Sequence, residues 1–175
     1  MERILILGPP GAGKSTLARQ LGQRLGYPVI HLDRHFFDPN WQMPSRDVWV
    51  ETQRELVDSA PTWIMDGNYD STLEERLPAA DTVVLLEVSR VRSIYRIVKR
   101  WVTNWGAVRA DMAAGCPEHV SLEFLHYSWT FKENELPQIE DKIERYGGDV
   151  TVYTVDASRR STVETFLDTV PIDGR

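Results

Sequence analysis

One cysteine, Cys116, stands in 175 residues, which excludes an internal disulfide, and its Gly-Cys-Pro-Glu setting offers no second thiol for a metal knuckle. It reads as an unpaired loop thiol. No apolar run approaches the ~18 residues that a membrane-spanning helix needs. The chain opens on the strand-like Ile4-Leu5-Ile6-Leu7 without signal-peptide architecture, so the expectation is a cytoplasmic protein that does not engage a membrane. Internal repeats and low-complexity stretches are also missing. With 42% hydrophobic residues there is material for one core and no demand for a second, so a single domain over 1–175 is expected. A net charge of −6 argues against a surface built to hold nucleic acid. Acid is absent from one stretch: 88–110 carries Arg90, Arg92, Arg96, Lys99, Arg100 and Arg109 and neither Asp nor Glu.

What is present is an alternation of short apolar runs with amphipathic segments, the pattern of a parallel sheet with helical crossovers. It predicts strands at 3–7, 28–32, 62–66, 82–88 and 150–155. Helices are predicted at 14–25, 46–59, 91–104, 118–146 with a break near Pro137, and 159–169. Ser45 is a cap candidate for the second helix, and Gly26 closes the first. Two long segments outside the strands, 33–46 and 105–118, are rich in Pro, Gly, Asp and aromatics and are the places to seek function.

Gly8-Pro9-Pro10-Gly11-Ala12-Gly13-Lys14-Ser15 has the Gly-x4-Gly-Lys-Ser spacing of a phosphate loop, after an apolar strand and before a helix that opens Ser15-Thr16-Leu17. Glycines at 8, 11 and 13 let successive amides point inward at phosphate oxygens, and the helix adds its positive N-terminal end. Gly8, Gly11, Ala12, Gly13, Lys14, Ser15 and Thr16 are the expected nucleotide contacts. Lys14 reaches the β- and γ-phosphates of ATP, and the Ser15 hydroxyl is a ligand for Mg2+.

Ligands of an open parallel sheet sit at the carboxyl ends of its strands, where two acids qualify. Asp66, ending Trp63-Ile64-Met65, suits a role in holding Mg2+; otherwise it is a turn former before Gly67. Asp33, after His31-Leu32, suits a base or an orienting group for an acceptor hydroxyl; otherwise it is a solvated loop acid or a helix cap. His31, Asp33 and His35 would share a face if the strand ran on, although no fourth metal ligand is evident. His119 and His126 lie seven apart on the predicted fourth helix, with no constellation to complete them.

Arg92, Arg96 and Arg100 recur every four residues, with Ile94, Val98, Trp101 and Trp105 as the opposite, core-facing stripe. Either the arginines serve a transferring phosphoryl group, with Arg96 and Arg100 as the catalytic candidates, or they form a solvated basic face. Segment 105–118 has glycines near both ends and reads as a lid bringing Arg109 and Asp111 to a closed site, or as a plain surface loop. The loop after the last strand, Asp156 to Arg160, borders the nucleotide base on geometric grounds and makes Arg159 a candidate contact.

This combination resembles the adenylate-kinase-like branch of the P-loop kinases. More closely, His31-Leu32-Asp33, the run from Trp63 to Tyr69, Arg76-Leu77-Pro78-Ala79-Ala80-Asp81 and the run from Asp111 to Glu118 look like the bacterial topology-modulation proteins, over nearly the whole chain. The resemblance implies an α/β P-loop NTPase fold in three layers: a five-stranded parallel sheet in the order 2-3-1-4-5, helices on both faces, and a helical lid over ATP and Mg2+. One departure matters. Nucleoside monophosphate kinases follow the third-strand Asp-Gly with an aromatic, a proline and an arginine for the acceptor phosphate, whereas here the chain runs Asn68-Tyr69-Asp70. Arg34, Arg46 or Arg76 would have to compensate. The simpler expectation is ATP-dependent transfer to another small acceptor, such as a nucleoside, stacked near Phe36, Phe37 and Trp41. A nucleotide-switched regulatory or binding module is the alternative. Direct contact with nucleic acid is not expected, and the protein is either a monomer or a homodimer.

Overall fold

The computed structural model describes residues 1–117 and 119–170. Strands β1 (Arg3–Leu7), β2 (Val29–His31), β3 (Trp63–Asp66), β4 (Thr82–Glu87) and β5 (Thr151–Asp156) form one parallel sheet in the order β2-β3-β1-β4-β5. The five-stranded sheet and its order are those expected. Side-chain alternation along the strands sorts the core into two layers. Ile4, Ile6, Ile64, Val84 and Leu86 point to one face, where they meet Leu17, Ala18 and Leu21 of α1 (Lys14–Leu25) and Phe166 of α7 (Arg160–Thr169). Leu5, Leu7, Trp63, Met65, Val83 and Leu85 point to the other. There they meet α3 (Arg46–Asp58), α5 (Leu122–Asn134) and α6 (Leu136–Tyr146) through Trp49, Val57, Phe131 and Ile139. Each fully buried Leu, Ile or Val contributes about 1.5–3 kcal/mol, so a shift of register by one residue would turn both layers inside out.

The caps explain the boundaries. The Ser45 side chain accepts from the Val48 amide at the start of α3, and Gly26 closes α1 in the left-handed region at φ 72°. The long fourth helix expected over 118–146 is two. Ser121 caps α5, the chain breaks at Glu135, and Pro137 sits in the first turn of α6, where its missing amide costs nothing. The proposed start at Glu118 lies outside the described residues, and His119 precedes α5, so His119 and His126 do not share a helix face. Strand β2 stops at His31, and residues Asp33–Phe36 form a short helix, α2. His31, Asp33 and His35 therefore do not continue one strand face. Among the described residues no group of three or more His, Cys, Asp or Glu side chains is arranged to hold a metal, and no helix is long and apolar enough to cross a membrane.

The parallel register places Asp66 beside both Ile6 and His31, which aligns the carboxyl ends of β1, β2 and β3. The loops leaving these strands converge there.

Candidate active site

The phosphate loop turns where glycine is required. Gly8 sits at φ 136°, and a Cβ there would meet the Leu86 carbonyl oxygen at 2.4 Å. Gly11, at φ 73°, would bring a Cβ to 2.8 Å from the carbonyl oxygen of Ser93. These contacts seat the loop on β4 and on α4 (Arg90–Thr103). Ser93 Oγ donates to the Pro10 carbonyl at 2.7 Å, and Arg96 donates to the carbonyls of Gly11, Ala12 and Ala157 at 3.2, 3.3 and 2.9 Å. From the β3 side, Asn68 Oδ1 accepts from the Gly8 amide at 3.0 Å and its Nδ2 donates back to the Gly8 carbonyl at 2.9 Å. Lys14 Nζ is folded onto its own loop, donating to Gly8 and Pro9 carbonyls at 2.7 and 3.1 Å. Burial lowers its pKa to about 8, against the opposing pull of Asp66 and Asp33.

These contacts reverse the expected orientation of α4. Its buried residues are Ser93 and Ile97, with Arg96 and Arg100 continuing that inward stripe, whereas Val98 is 37% and Trp105 70% exposed; Ile94 and Trp101 are half-buried. The cause is the close seat of Gly11 on the backbone of Ser93, together with the loop carbonyls of Pro10, Gly11 and Ala12, which Ser93 and Arg96 satisfy. Periodicity shows that α4 has two faces but not which one the loop selects.

A cavity of about 680 Å3 opens over the phosphate loop. Gly11, Gly13, Lys14, Ser15, Thr16, Asp33, Asp66, Arg96 and Arg100 all line it, so most of the expected site residues are brought together. Gly8 and Ala12 lie outside the lining, and their amides are bonded to Asn68 Oδ1 and the Pro9 carbonyl. Arg159 is exposed and lies outside the lining, although Arg96 binds the neighbouring Ala157 carbonyl.

Asp66 is paired with His31, Nδ1 to Oδ1, at 2.5 Å, and both are buried. Asp33 begins α2 and accepts a hydrogen bond from the Tyr69 hydroxyl at 2.7 Å. Burial pushes the Asp33 carboxyl up from its ordinary value and Asp66 adds to this, while the Tyr69 bond, Lys14 and Arg109 pull it back. Tyr69 occupies the left-handed region at φ 38° and packs on Phe36 and Trp49, with ring centroids 4.7 and 4.9 Å away. Arg76 explains how that turn is held. It is fully buried and donates to the carbonyls of Gly67, Asn68 and Tyr69 at 3.1, 2.5 and 3.4 Å. None of the three arginines that might have faced an acceptor phosphate does so. Arg76 is spent on the loop, Arg46 binds the Ser71 carbonyl and Glu74, and Arg34 is exposed outside the cavity. Phe37, Trp41, Asp70, His119, Phe124 and Tyr127 also line the cavity.

Segment 105–117 is docked against the chain that follows α2. Met112, Ala113 and Cys116 bury themselves on Phe37 and Trp41; the Asn40 amide donates to the Gly115 carbonyl at 3.2 Å, and Cys116 Sγ donates to that of Asp38 at 3.3 Å. Cys116 is thus a packed thiol. Arg109 and Asp111 are brought into the cavity and pair at 3.0 Å.

Sequence reasoning missed the functions of Asn68, Tyr69 and Ser93, each of which acts on a residue distant in the chain. Their only signal was polar identity beside a motif.

Ser15 and Asp66 both line the cavity and offer the hard oxygen donors that Mg2+ takes, an ion that keeps much of its shell as water and phosphate and needs few protein ligands.

Residues 4–76 match the family model described as the ATPase family associated with various cellular activities (AAA). The human protein threonine synthase-like 1 is 45% identical over 42 residues, 24% of this chain and 6% of that protein. The adenylate kinase of Mycobacterium ulcerans is 31% identical over 111 residues, 61% of this chain and 60% of the enzyme. This chain therefore spans less than two thirds of either relative. The shikimate kinase of Rhodococcus jostii is 28% identical, with 70% of this chain and 77% of that enzyme covered. Among solved structures, the gluconokinase from Sinorhizobium meliloti superposes with a TM-score of 0.57 at 19% identity, over 95% of this chain and 90% of the other. The deoxyadenosine kinase from M. mycoides with bound dATP gives 0.54 at 20% identity, over 95% and 98%. The sheet order, the phosphate loop and these superpositions establish that the chain has the fold of the small-molecule P-loop kinases.

Proposed function

We propose that the protein transfers the terminal phosphoryl group of Mg·ATP to a hydroxyl of a small, uncharged, ring-bearing acceptor of the nucleoside type. The observation that carries this reading is that the phosphate loop and the Asp33–Tyr69 pair line one cavity, whose far end is aromatic and acidic. In this reading the loop amides and Lys14 hold the phosphates, and Arg100 and Arg109 face the transferring group. Bound Mg2+ would neutralise charge on the β- and γ-oxygens, held through Ser15 and, by way of water, Asp66. Asp33 offers the carboxylate oxygen that Tyr69 does not occupy to the acceptor hydroxyl. It takes the proton as the acceptor oxygen bonds to the γ-phosphorus and the bond to the bridging oxygen breaks, releasing ADP. Arg96 positions the loop rather than touching substrate, and Arg159 has no part. Segment 105–117 serves as the lid, and 33–46 as the acceptor side. The closer resemblance to topology-modulation proteins rests on the motifs alone. The reading includes a cytoplasmic, single-domain protein, monomeric or homodimeric, that does not handle nucleic acid.

ATP consumption measured across nucleosides, nucleoside monophosphates and sugars is the test. Turnover with nucleosides is expected, and turnover confined to monophosphates overturns the acceptor class. A second reading, a nucleotide-switched module without transfer, is favoured by the outward apolar residues Val91, Tyr95, Val98 and Val102 of α4, with Trp105 in the turn after it. It predicts tight nucleotide binding with no acceptor in the same screen.

A further inference from the structure

We propose that Asn68 is a positioning residue that frees Lys14 for the nucleotide, by giving the phosphate loop a second donor for the carbonyl that the ammonium leaves. This deepens the reading of the cavity as an ATP site and rests on it. The backbone of β3 pairs with β1 as far as Asp66, beside Ile6, and the Gly67 amide still donates to the Ile6 carbonyl at 3.4 Å. One residue further on, a side chain takes over from the backbone. The Asn68 carboxamide faces both polar groups of Gly8, accepting from its amide at 3.0 Å and donating to its carbonyl at 2.9 Å. Gly8 dictates which end of the carboxamide faces which, since its N–H only donates and its carbonyl only accepts. The Asn68 carbonyl is itself bound by Arg76 at 2.5 Å, so the side chain is aimed from a clamped backbone.

Lys14 is committed to the same loop, with Nζ donating to the Gly8 and Pro9 carbonyls at 2.7 and 3.1 Å. An ammonium has three donors, so reaching both the β- and γ-phosphates means giving up at least one of these carbonyls. A part-buried carbonyl left without a donor would oppose that movement. Neither carbonyl is left so. That of Pro9 also accepts from the Ala12 amide at 3.2 Å, and that of Gly8 from Asn68 at 2.9 Å. The donor from Ala12 is backbone and would survive any side chain except proline there, whereas the donor to Gly8 depends on the residue at 68. The seat of Gly8 against the Leu86 carbonyl leaves little room to turn its own carbonyl elsewhere. A carboxylate at 68 could accept from the Gly8 amide equally well, but it could not donate, and its charge would hold the ammonium back. The carboxamide supplies the donor and adds no charge.

The experiment is a double-mutant cycle on the intact protein, with the affinity for a non-hydrolysable ATP analogue in magnesium read by calorimetry. Asn68→Ala is expected to weaken the analogue about tenfold, the order of loss for a buried polar group deprived of its partner. In Lys14→Ala no ammonium has to leave, and the Gly8 carbonyl then loses Asn68 in the free and bound states alike. There the same substitution is expected to change the affinity by less than about twofold. Equal losses in the two backgrounds overturn the proposal, because Asn68 would then only brace the loop. An unchanged affinity in Asn68→Ala alone overturns it as well. If circular dichroism shows Asn68→Ala to be unfolded, Asn68→Leu, which keeps the bulk of the side chain, takes its place with the same outcomes. Failure of the unaltered protein to bind the analogue at all would instead overturn the kinase reading itself.

Discussion

The two ends of the cavity are built on different plans. The phosphate end is backbone: a contiguous loop whose turn three glycines permit, braced from outside by Asn68, Ser93 and Arg96. The acceptor end is side chain: Asp33 from α2, Tyr69 from a strained turn, and rings from separate segments. A backbone site recognises any triphosphate tail, because every residue supplies the same amide. A side-chain site can be rebuilt one residue at a time, so it is where a kinase fold acquires its acceptor. The comparison predicts that damage at the phosphate end lowers transfer to all acceptors, while damage at the other end leaves nucleotide binding intact.

The largest effect is expected at Lys14. In the proposed kinase reading Lys14→Ala removes the ammonium that meets the phosphates and should lower kcat by about 10^3-fold, comparable with loss of a charge-stabilising donor. Nucleotide affinity measured by calorimetry should fall as well. Turnover within tenfold of the parent would break the division between the two ends. Asp33→Asn comes next, with kcat expected to fall about 10^2-fold through loss of the base. The Kd for ATP should not change. A matching loss in ATP affinity would show that the ends are not separable.

Arg76 sharpens the contrast from the side of stability. Arg76→Met deserts one buried and two part-buried carbonyls, and each unsatisfied buried group costs about 1–3 kcal/mol, so chemical denaturation should reveal a loss of about 2 kcal/mol or more. In any protein that remains folded, KM for the acceptor should rise more than KM for ATP. Arg76 holds the turn that aims Tyr69, and its hydrogen bonds go to the carbonyls of Gly67, Asn68 and Tyr69.

The same contrast explains what was legible in the residues. The phosphate loop could be read because its causes are local: strand, glycine spacing and helix follow one another from Arg3 to Leu25, whereas the sheet order came with the family resemblance. Asp33 and Asp66 could be placed from strand ends alone. The rotation of α4 could not, since Gly11 and the carbonyls that select the arginine face belong to a segment some eighty residues earlier. Arg76 read as a substrate cation because nothing in its neighbourhood shows that the turn at Gly67 to Tyr69 presents three carbonyls to it.

Tyr69 offers the smallest effect and the finest discrimination. Asp33 must be ionised to accept a proton, so kcat/KM should fall as pH drops through its pKa, which burial has already raised. The Tyr69 hydroxyl donates to the charged form and therefore lowers that pKa; Asp66 opposes it, and Lys14 and Arg109 assist it. Tyr69→Phe removes one donor and keeps the ring on Phe36 and Trp49, so the acid limb of the profile should move to higher pH. At the alkaline plateau kcat should change by less than about tenfold, because the base remains and only its orientation is loosened. A limb that stays in place would show that the hydroxyl merely fills space. A limb that moves to lower pH would show that in the working enzyme the tyrosine bonds the neutral acid, and Asp33 would then have to donate a proton rather than take one.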